Sequence, residues 1–312
     1  MESGPETIII GAGMTGISCA RVLEAAGQRV RLLDKGRGIG GRMATRRVTL
    51  DAGEITFDHG AQYLRPRDPA FRQCLEAAGA AEWEGAHEGL VGVPGMSALP
   101  RALAAGLEIS QATEVSALAH DAEGWHIVTA TGALRAARLV LTVPAPQALH
   151  LLGPRDPVAF ALAKVKMRPC LTLMAAFAPG SPAPFDARQD AAHPLAWVAR
   201  NSSKPERGAA AASWVAQAGP EFSQAHLEDD TQAVAARMLP LLCDLIGTAP
   251  AQALHVAAHR WRYGLVTRPL ARPFVQDAAR GLYLGGDWCL GARAEDGWQS
   301  GQAIARAILE AA

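Results

Sequence analysis

The sequence predicts a mixed α/β fold in two lobes. One is a parallel-sheet lobe built from both ends of the chain; the other is an α+β lobe, with an antiparallel sheet, built from its middle. Three patterns predict this. An apolar run, Thr7-Ile8-Ile9-Ile10, enters Gly11-Ala12-Gly13-Met14-Thr15-Gly16 near the N-terminus. Strand-like runs at 171–177, 195–199, 213–217 and 254–262 lack the alternation with helices that a parallel sheet needs. Near the C-terminus, Gly281-Leu282-Tyr283-Leu284-Gly285-Gly286-Asp287 and then Gly297-Trp298-Gln299-Ser300-Gly301 return to strand-then-helix grammar.

The first pattern reads as a Rossmann-like βαβ unit. A helix is predicted over 14–26, with Ile17, Ala20 and Leu23 on one face and Gly27 as its stop. Val30-Arg31-Leu32-Leu33 follows as a second strand, tipped by Asp34. In such a unit Gly11 permits the tight turn, and Gly13 lets backbone approach a pyrophosphate. Gly16 lets the helix pack closely, Ala12 and Met14 present backbone at the turn, and Asp34 can accept from a ribose hydroxyl. A second glycine-rich segment, Lys35 to Arg42, suits the same ligand: Gly41 for close approach, Lys35, Arg37 and Arg42 for charge.

Composition narrows the field. In 312 residues, Lys+Arg 30 balances Asp+Glu 30, so no global field favours nucleic acid or an anionic membrane. The 49% hydrophobic content supports a sizeable core. The five scattered cysteines, Cys19, Cys74, Cys170, Cys243 and Cys289, form no CxxC pair, which argues against a disulfide framework or a metal site and fits a cytoplasmic protein. The N-terminus lacks a basic signal-peptide region, and no run is long enough to span a membrane.

The remaining elements can be placed in order. A helix is expected over 69–78, a turn at Pro94-Gly95-Met96-Ser97 with Ser97 capping a short helix to Ala104, and strands at 113–118, 125–129 and 139–142. A helix follows from Gln147 to Leu152, and a long one from Ser223 to Leu245, kinked at Pro240. The tail helix is expected to open at Gly297. The nucleotide-binding lobe is therefore assigned to 1–58, 105–150 and 278–312, and the substrate lobe to 59–104 and 151–277.

The compound signature of GxGxxG with an acid, GxGGR, and a distant GGD before a glycine-led helix resembles the flavin-containing amine oxidase and desaturase superfamily. The resemblance implies FAD, held non-covalently. It places Asp287 at the ribityl-pyrophosphate portion and the backbone at Gly297 and Trp298 by the pyrimidine ring, where a helix N-terminus favours negative charge. It also places the backbone of Val115 at the adenine, and Ala61 and Gln62 beside the cofactor. DKGRGIGGRM (34–43), DHGAQY (58–63), GVPGMS (92–97), WVARNSSKP (197–205), HRWRY (259–263) and the segment 286–305 together are similar to bacterial renalase-like oxidases. That likeness implies oxidation of a 2- or 6-dihydro isomer of NAD(P) to NAD(P)+, with O2 as acceptor and H2O2 as product. His59 departs from the pattern, standing where an apolar residue is expected.

Hydride transfer from a dihydropyridine needs stacking and orientation rather than a protein acid, base or nucleophile. Gln62, His259 and Trp288 are the candidates for orienting the ring, with Trp261 and Tyr263 as further aromatic walls. The substrate's pyrophosphate needs cations and donors. Arg65, Arg67, Arg200, Lys204 and Arg207, with Asn201 and Ser97, are suitable types, and Gly95, Met96 and Trp197 belong to the same segments. Two other functions fit the fold: a flavin amine oxidase acting on a small amine, and a non-catalytic flavin-binding module. Against the first, residues 259–263 contain no cysteine for a covalent flavin link.

Overall fold

The computed structural model describes residues 7–311. Six strands form the first sheet, in the order Val275–Asp277, Leu282–Leu284, Arg138–Leu141, Thr7–Ile10, Val30–Leu33, Ile109–Ser110. All neighbours run parallel except the edge strand Val275–Asp277, which is antiparallel to Leu282–Leu284. Both ends of the chain thus share one sheet. Its central strands are continuous apolar runs, as expected where both faces are covered. The strand order reverses between Thr7–Ile10 and Arg138–Leu141, and the loops leaving those two parallel strands open the crevice where such sheets bind ligands. The edge strand Val275–Asp277 lies before residue 278, so this sheet begins three residues earlier than the sequence suggested.

Two helices cover one side. Met14–Ala25 and the final helix Ala294–Glu310 cross where Gly297 and Gly301 face Thr15, Ser18 and Cys19. A side chain at Gly301 would strike the Thr15 carbonyl, so this pair of glycines, four apart on one helix face, sets how closely the helices approach. The final helix starts at Ala294, three residues before the expected Gly297, because Asp296 reaches back to accept from the Arg293 N–H, 2.8 Å.

The second sheet is antiparallel, ordered Ala187–Gln189, Leu195–Arg200, Ala212–Ala218, Lys166–Phe177, His255–Arg268. One face carries the helix Thr231–Ile246, through Leu171, Leu173, Val234, Met238 and Leu242. The other carries the hairpin of Thr45–Leu50 and Gly53–Asp58, whose Ile55 and Phe57 pack on Met174, Ala176 and Val215. The long helix expected over 223–245 is two helices, Pro220–Ala225 and Thr231–Ile246. The break falls where Asp230 accepts from the N–H groups of Gln232 and Ala233 and so caps a new start. A three-stranded meander, Val115–Asp121, Gly124–Thr129 and Gly132–Ala136, completes the elements relevant here, its last strand lying between the strands expected at 125–129 and 139–142.

Gly16 tests the sheet-to-helix turn. A β-carbon there would collide with the Gly11 carbonyl and with Thr142, whose hydroxyl donates to the carbonyls of Ile10 and Gly11. Gly16→Ala is expected to lower stability by about 3 kcal/mol or more in urea unfolding. Gly27→Ala, at φ 78° with open space around it, should cost only about 1 kcal/mol.

Candidate functional site

The two glycine turns predicted to hold a dinucleotide meet. Gly13 has open space where a side chain would project, and Gly41 faces its Cα. Gly40 donates to the Ala12 carbonyl, 2.8 Å, which locks the second loop over the first. Asp34 accepts from the N–H groups of Ala12 and Gly36, both at 2.6 Å, so its carboxylate shapes the crevice wall. The segment before Val115 lies alongside, through Thr113 N–H to Asp34 O, 2.8 Å, while the Val115 side chain enters the core. Lys35 and Arg37 stand exposed on the loop. A cleft lined by backbone, bare at Gly13 and closed by Gly41, fits the phosphates of a dinucleotide.

Arg42 joins distant segments. Its guanidinium donates to Asp287 Oδ1, 2.7 Å, and to the Gly264 carbonyl, 3.3 Å. Its own carbonyl accepts from Ala61 N–H, 2.8 Å. The expectation that Arg42 neutralises phosphate is thus corrected in part: its charge is already paired with Asp287. Gly297 sits against Thr15 and the backbone of Asp287, so the first turn of the final helix borders the cleft. The helix N-terminal N–H groups belong to Ala294 to Asp296, which moves the dipole end from Trp298 to Ala294. Trp298 lies in the second turn instead, its ring 5.4 Å from Phe71. Burial pushes the Asp296 carboxyl upward, with Asp287 and Glu295 adding to the shift.

Beside this cleft sits a buried ionic cluster that sequence reasoning missed. Asp58, 0% exposed, accepts from Thr45 Oγ1 at 2.7 Å and Met96 N–H at 2.8 Å. Its other oxygen meets Arg207 at 2.7 Å and Lys204 Nζ at 3.2 Å. Burial alone would push the Asp58 carboxyl up, but Lys204 and Arg207 hold it below its ordinary range. Burial also lowers Lys204 to about 8, against the pull of Asp58. Lys204 and Arg207, expected to meet a substrate phosphate, are therefore spent on Asp58. Asn201, 0% exposed, likewise holds the hairpin: it accepts from Asp58 N–H and donates to the Thr56 carbonyl. Gly95, Met96 and Ser97 belong to this cage too, as Ser97 N–H donates to Thr45 and Gly95 abuts the same threonine. The strand's alternation gave no signal: Ile55 and Phe57 form its sheet-facing row, and Asp58 falls in the other row with Glu54 and Thr56.

The turn after Asp58 carries the ring-orienting candidates. Gln62, 6% exposed, donates to the carbonyls of Asp58 and Gly60 and accepts from Lys204 at 3.4 Å, so its amide is held by the protein. His59 stacks on Trp261 with centroids 5.3 Å apart and meets His259 edge-on at 4.8 Å. Trp261 donates to the His59 carbonyl, 2.8 Å. Burial lowers both imidazoles to about 4, with the Arg46 charge adding to each. They form an uncharged wall near neutral pH.

Other candidates divide. Trp288 is corrected: its ring is 0% exposed in the core, and its N–H donates to the Val143 carbonyl, 3.1 Å, so it cannot orient a ligand. Arg200 is paired with Asp186 at the sheet edge. Arg65 lies over Tyr63 at 4.8 Å, and Tyr63 meets Trp197 at 5.3 Å, so these three converge. The Arg65 guanidinium donates to the His87 carbonyl, 2.8 Å, and Arg67 stands exposed. Ala61, Met14, Met96 and Trp197 share one apolar cluster with Trp298, and Tyr263, half-buried, lies outside it.

Comparison with known families and structures accords with this geometry. A family described as NAD(P)-binding Rossmann-like domain matches residues 9–78. One described as flavin containing amine oxidoreductase matches 82–309. Among solved structures, a candidate protoporphyrinogen oxidase from Exiguobacterium sp. 255-15 superposes with TM-score 0.79 at 14% identity, covering 99% of each chain. Cyclohexylamine oxidase from Brevibacterium oxydans IH-35A gives 0.73 at 15%, and putrescine oxidase bound to putrescine gives 0.71 at 13%, again covering 99% of each chain. At these identities the likeness establishes the fold: a Rossmann-like domain within an amine oxidase fold.

Two outcomes follow from the site. Asp58→Asn leaves two cations buried without their counter-charge and is expected to cost about 3–5 kcal/mol in chemical denaturation, partly recovered by adding Lys204→Met. His59 and His259 sit at about 4 when folded, below the ordinary 6.5, so the unfolded chain binds more protons between those values. Stability is thus complete above that window and falls as pH drops through it, and His59→Phe should flatten the thermal-melting profile there.

Proposed function

The chain belongs to the flavin-containing amine oxidoreductase family, and from that premise we propose that it is an FAD-dependent oxidase of dihydronicotinamide dinucleotides, the 2- or 6-dihydro isomers of NAD(P). Bound flavin would supply a hydride acceptor that O2 can reoxidise, so that with one proton from solvent the products would be NAD(P)+ and H2O2. The protein's own part is to hold and orient. In this reading the glycine turns at Gly11–Gly13 and Gly40–Gly41 hold the FAD phosphates, Asp34 and Asp287 its hydroxyls, and Ala61 and Gln62 its ring edge. The lobe of 1–58, 105–150 and 278–312 carries the cofactor, and 59–104 with 151–277 the substrate.

The observation that carries the reading is the wall of His59, His259 and Trp261: rings uncharged at neutral pH, His59 stacked on Trp261 and both edge-on to His259, with the Arg46 charge bearing on the two imidazoles. Such a wall suits a neutral dihydropyridine and positions it by stacking. It does not suit an ammonium, which Arg46 would repel. A small-amine oxidase is the second reading, favoured by the putrescine and cyclohexylamine oxidases among the structural relatives.

Non-covalent attachment has its own support. Burial pushes the thiols of Cys170 and Cys289 up to about 11 and about 12, and Cys19 is raised as well, so none is primed as a nucleophile. No helix among the described residues is long and apolar enough to cross a membrane.

Anaerobic stopped-flow mixing separates the readings. The 2- or 6-dihydro isomer of NADH should bleach the flavin's visible absorbance in a fast phase, and ordinary 4-dihydro NADH should not. Equal bleaching by the 4-dihydro form, or fast bleaching by putrescine or cyclohexylamine alone, would overturn the proposal. Denaturation should release all the flavin into the supernatant.

A further inference from the structure

Arg46 differs from the cations around it. On the hairpin it pairs with Phe57 in register and lies in the same alternating row as Val48 and Leu50, which pack inward against the antiparallel sheet. The row turns a half-buried arginine toward the sheet. Arg42, Arg200 and Arg207 each bond a carboxylate. Among the described residues, Arg46 has no carboxylate in ion-pair range and no hydrogen-bond acceptor.

What faces it is a set of imidazoles, two of which leave a ring nitrogen unpaired. His255 and His259 lie on one face of strand His255–Arg268, opposite Ala176 and Thr172 in register. His59 meets His259 at 4.8 Å, and His255 lies 5.7 Å from Phe57, the register partner of Arg46. The charge of Arg46 bears on all three imidazoles. Two ring nitrogens here are buried with no hydrogen-bond partner: His59 Nδ1, in a residue 6% exposed, and His255 Nε2. Native proteins seldom leave such atoms unpaired. Asp58, the nearest buried carboxylate in sequence, is saturated by Thr45, Met96, Lys204 and Arg207.

We propose that Arg46, His59, His255 and His259 form a subsite for an anionic group, a phosphate or a carboxylate, at the seam between the 45–58 hairpin and the antiparallel sheet. The guanidinium offers a planar fork that matches either group, and each neutral imidazole offers one N–H. The anion completes the unmade hydrogen bonds and balances the one charge the cluster carries. Its place beside the Trp261 wall puts it within the reach of one substrate molecule. That an anion binds stands on the cluster alone; that the anion belongs to the reacting molecule rests on the dihydronicotinamide dinucleotide reading.

Isothermal titration of the flavin-loaded protein with sodium phosphate, and separately with sodium acetate, at constant ionic strength, tests the subsite. Saturable binding is expected, and the tighter of the two anions identifies the class. Arg46→Gln should weaken it about tenfold or more, while Arg47→Gln, exposed on the opposite face of the same strand, should titrate like the parent. Matching circular dichroism and flavin spectra establish that the variants are folded. No saturable heat with either anion, or an Arg46→Gln variant that binds as the parent does, overturns the subsite. For the reacting molecule, Arg46→Gln should raise KM for the dihydro isomer about tenfold with kcat nearly unchanged. Lost phosphate binding with an unaltered KM overturns the assignment of the anion to the substrate. A protein that oxidises no dihydronicotinamide isomer sinks the functional reading, and the titration still decides the subsite.

Discussion

A single carboxylate, Asp58, organises the wall of the site. It is buried, and it binds at once to Thr45, the Met96 amide, Lys204 and Arg207. Those partners come from the hairpin, the 92–97 turn and the loop after Leu195–Arg200, so one anion fixes where three separate segments stop. Burying it costs several kcal/mol, which only paired and hydrogen-bonded cations offset. An apolar cluster of the same size would pack without a preferred register; directional bonds to two oxygens impose one. The turn at His59 to Gln62 follows immediately, and its geometry is inherited from that anchor.

Arg42 performs the corresponding task toward the other lobe. Its side chain reaches Asp287 and Gly264, and its backbone reaches Ala61, so the second glycine loop, the DHGAQY turn, the antiparallel sheet and the C-terminal GGD segment touch one residue. The site accordingly uses few free charges. Arg42, Arg200, Lys204 and Arg207 are spent on carboxylates, and burial keeps the His59 and His259 rings neutral.

Much of this was legible beforehand. The glycines at 11, 13 and 16, the strands beside them and the return of the chain near Gly285 are local patterns whose backbone demands are met in any context. Burial of polar side chains was not legible. Lys204, Arg207 and Asn201 looked like loop residues free to meet a phosphate, yet each is consumed by the Asp58 hairpin, because a buried carboxylate recruits whatever cation folding brings within reach. Trp288 sits beside Asp287 in sequence, but neighbouring residues of a turn point in different directions, and its ring went to the core. The helix boundaries at Asp230 and Ala294 moved because single side-chain caps outweighed the hydrophobic period on which the expectations rested.

The sequence by itself determined the class of fold, the dinucleotide turn and the joining of both chain ends in one sheet, since glycine spacing and strand pattern act over a few residues. The tertiary structure alone decided which cations are spent and which are left over. Pairing of charges depends on distances between segments up to 245 residues apart, as between Arg42 and Asp287, and no local pattern encodes them. Arg46 and Arg47 are adjacent and chemically identical, yet only Arg46 lies in the hairpin's inward row, where its charge bears on the imidazoles of the neighbouring strand.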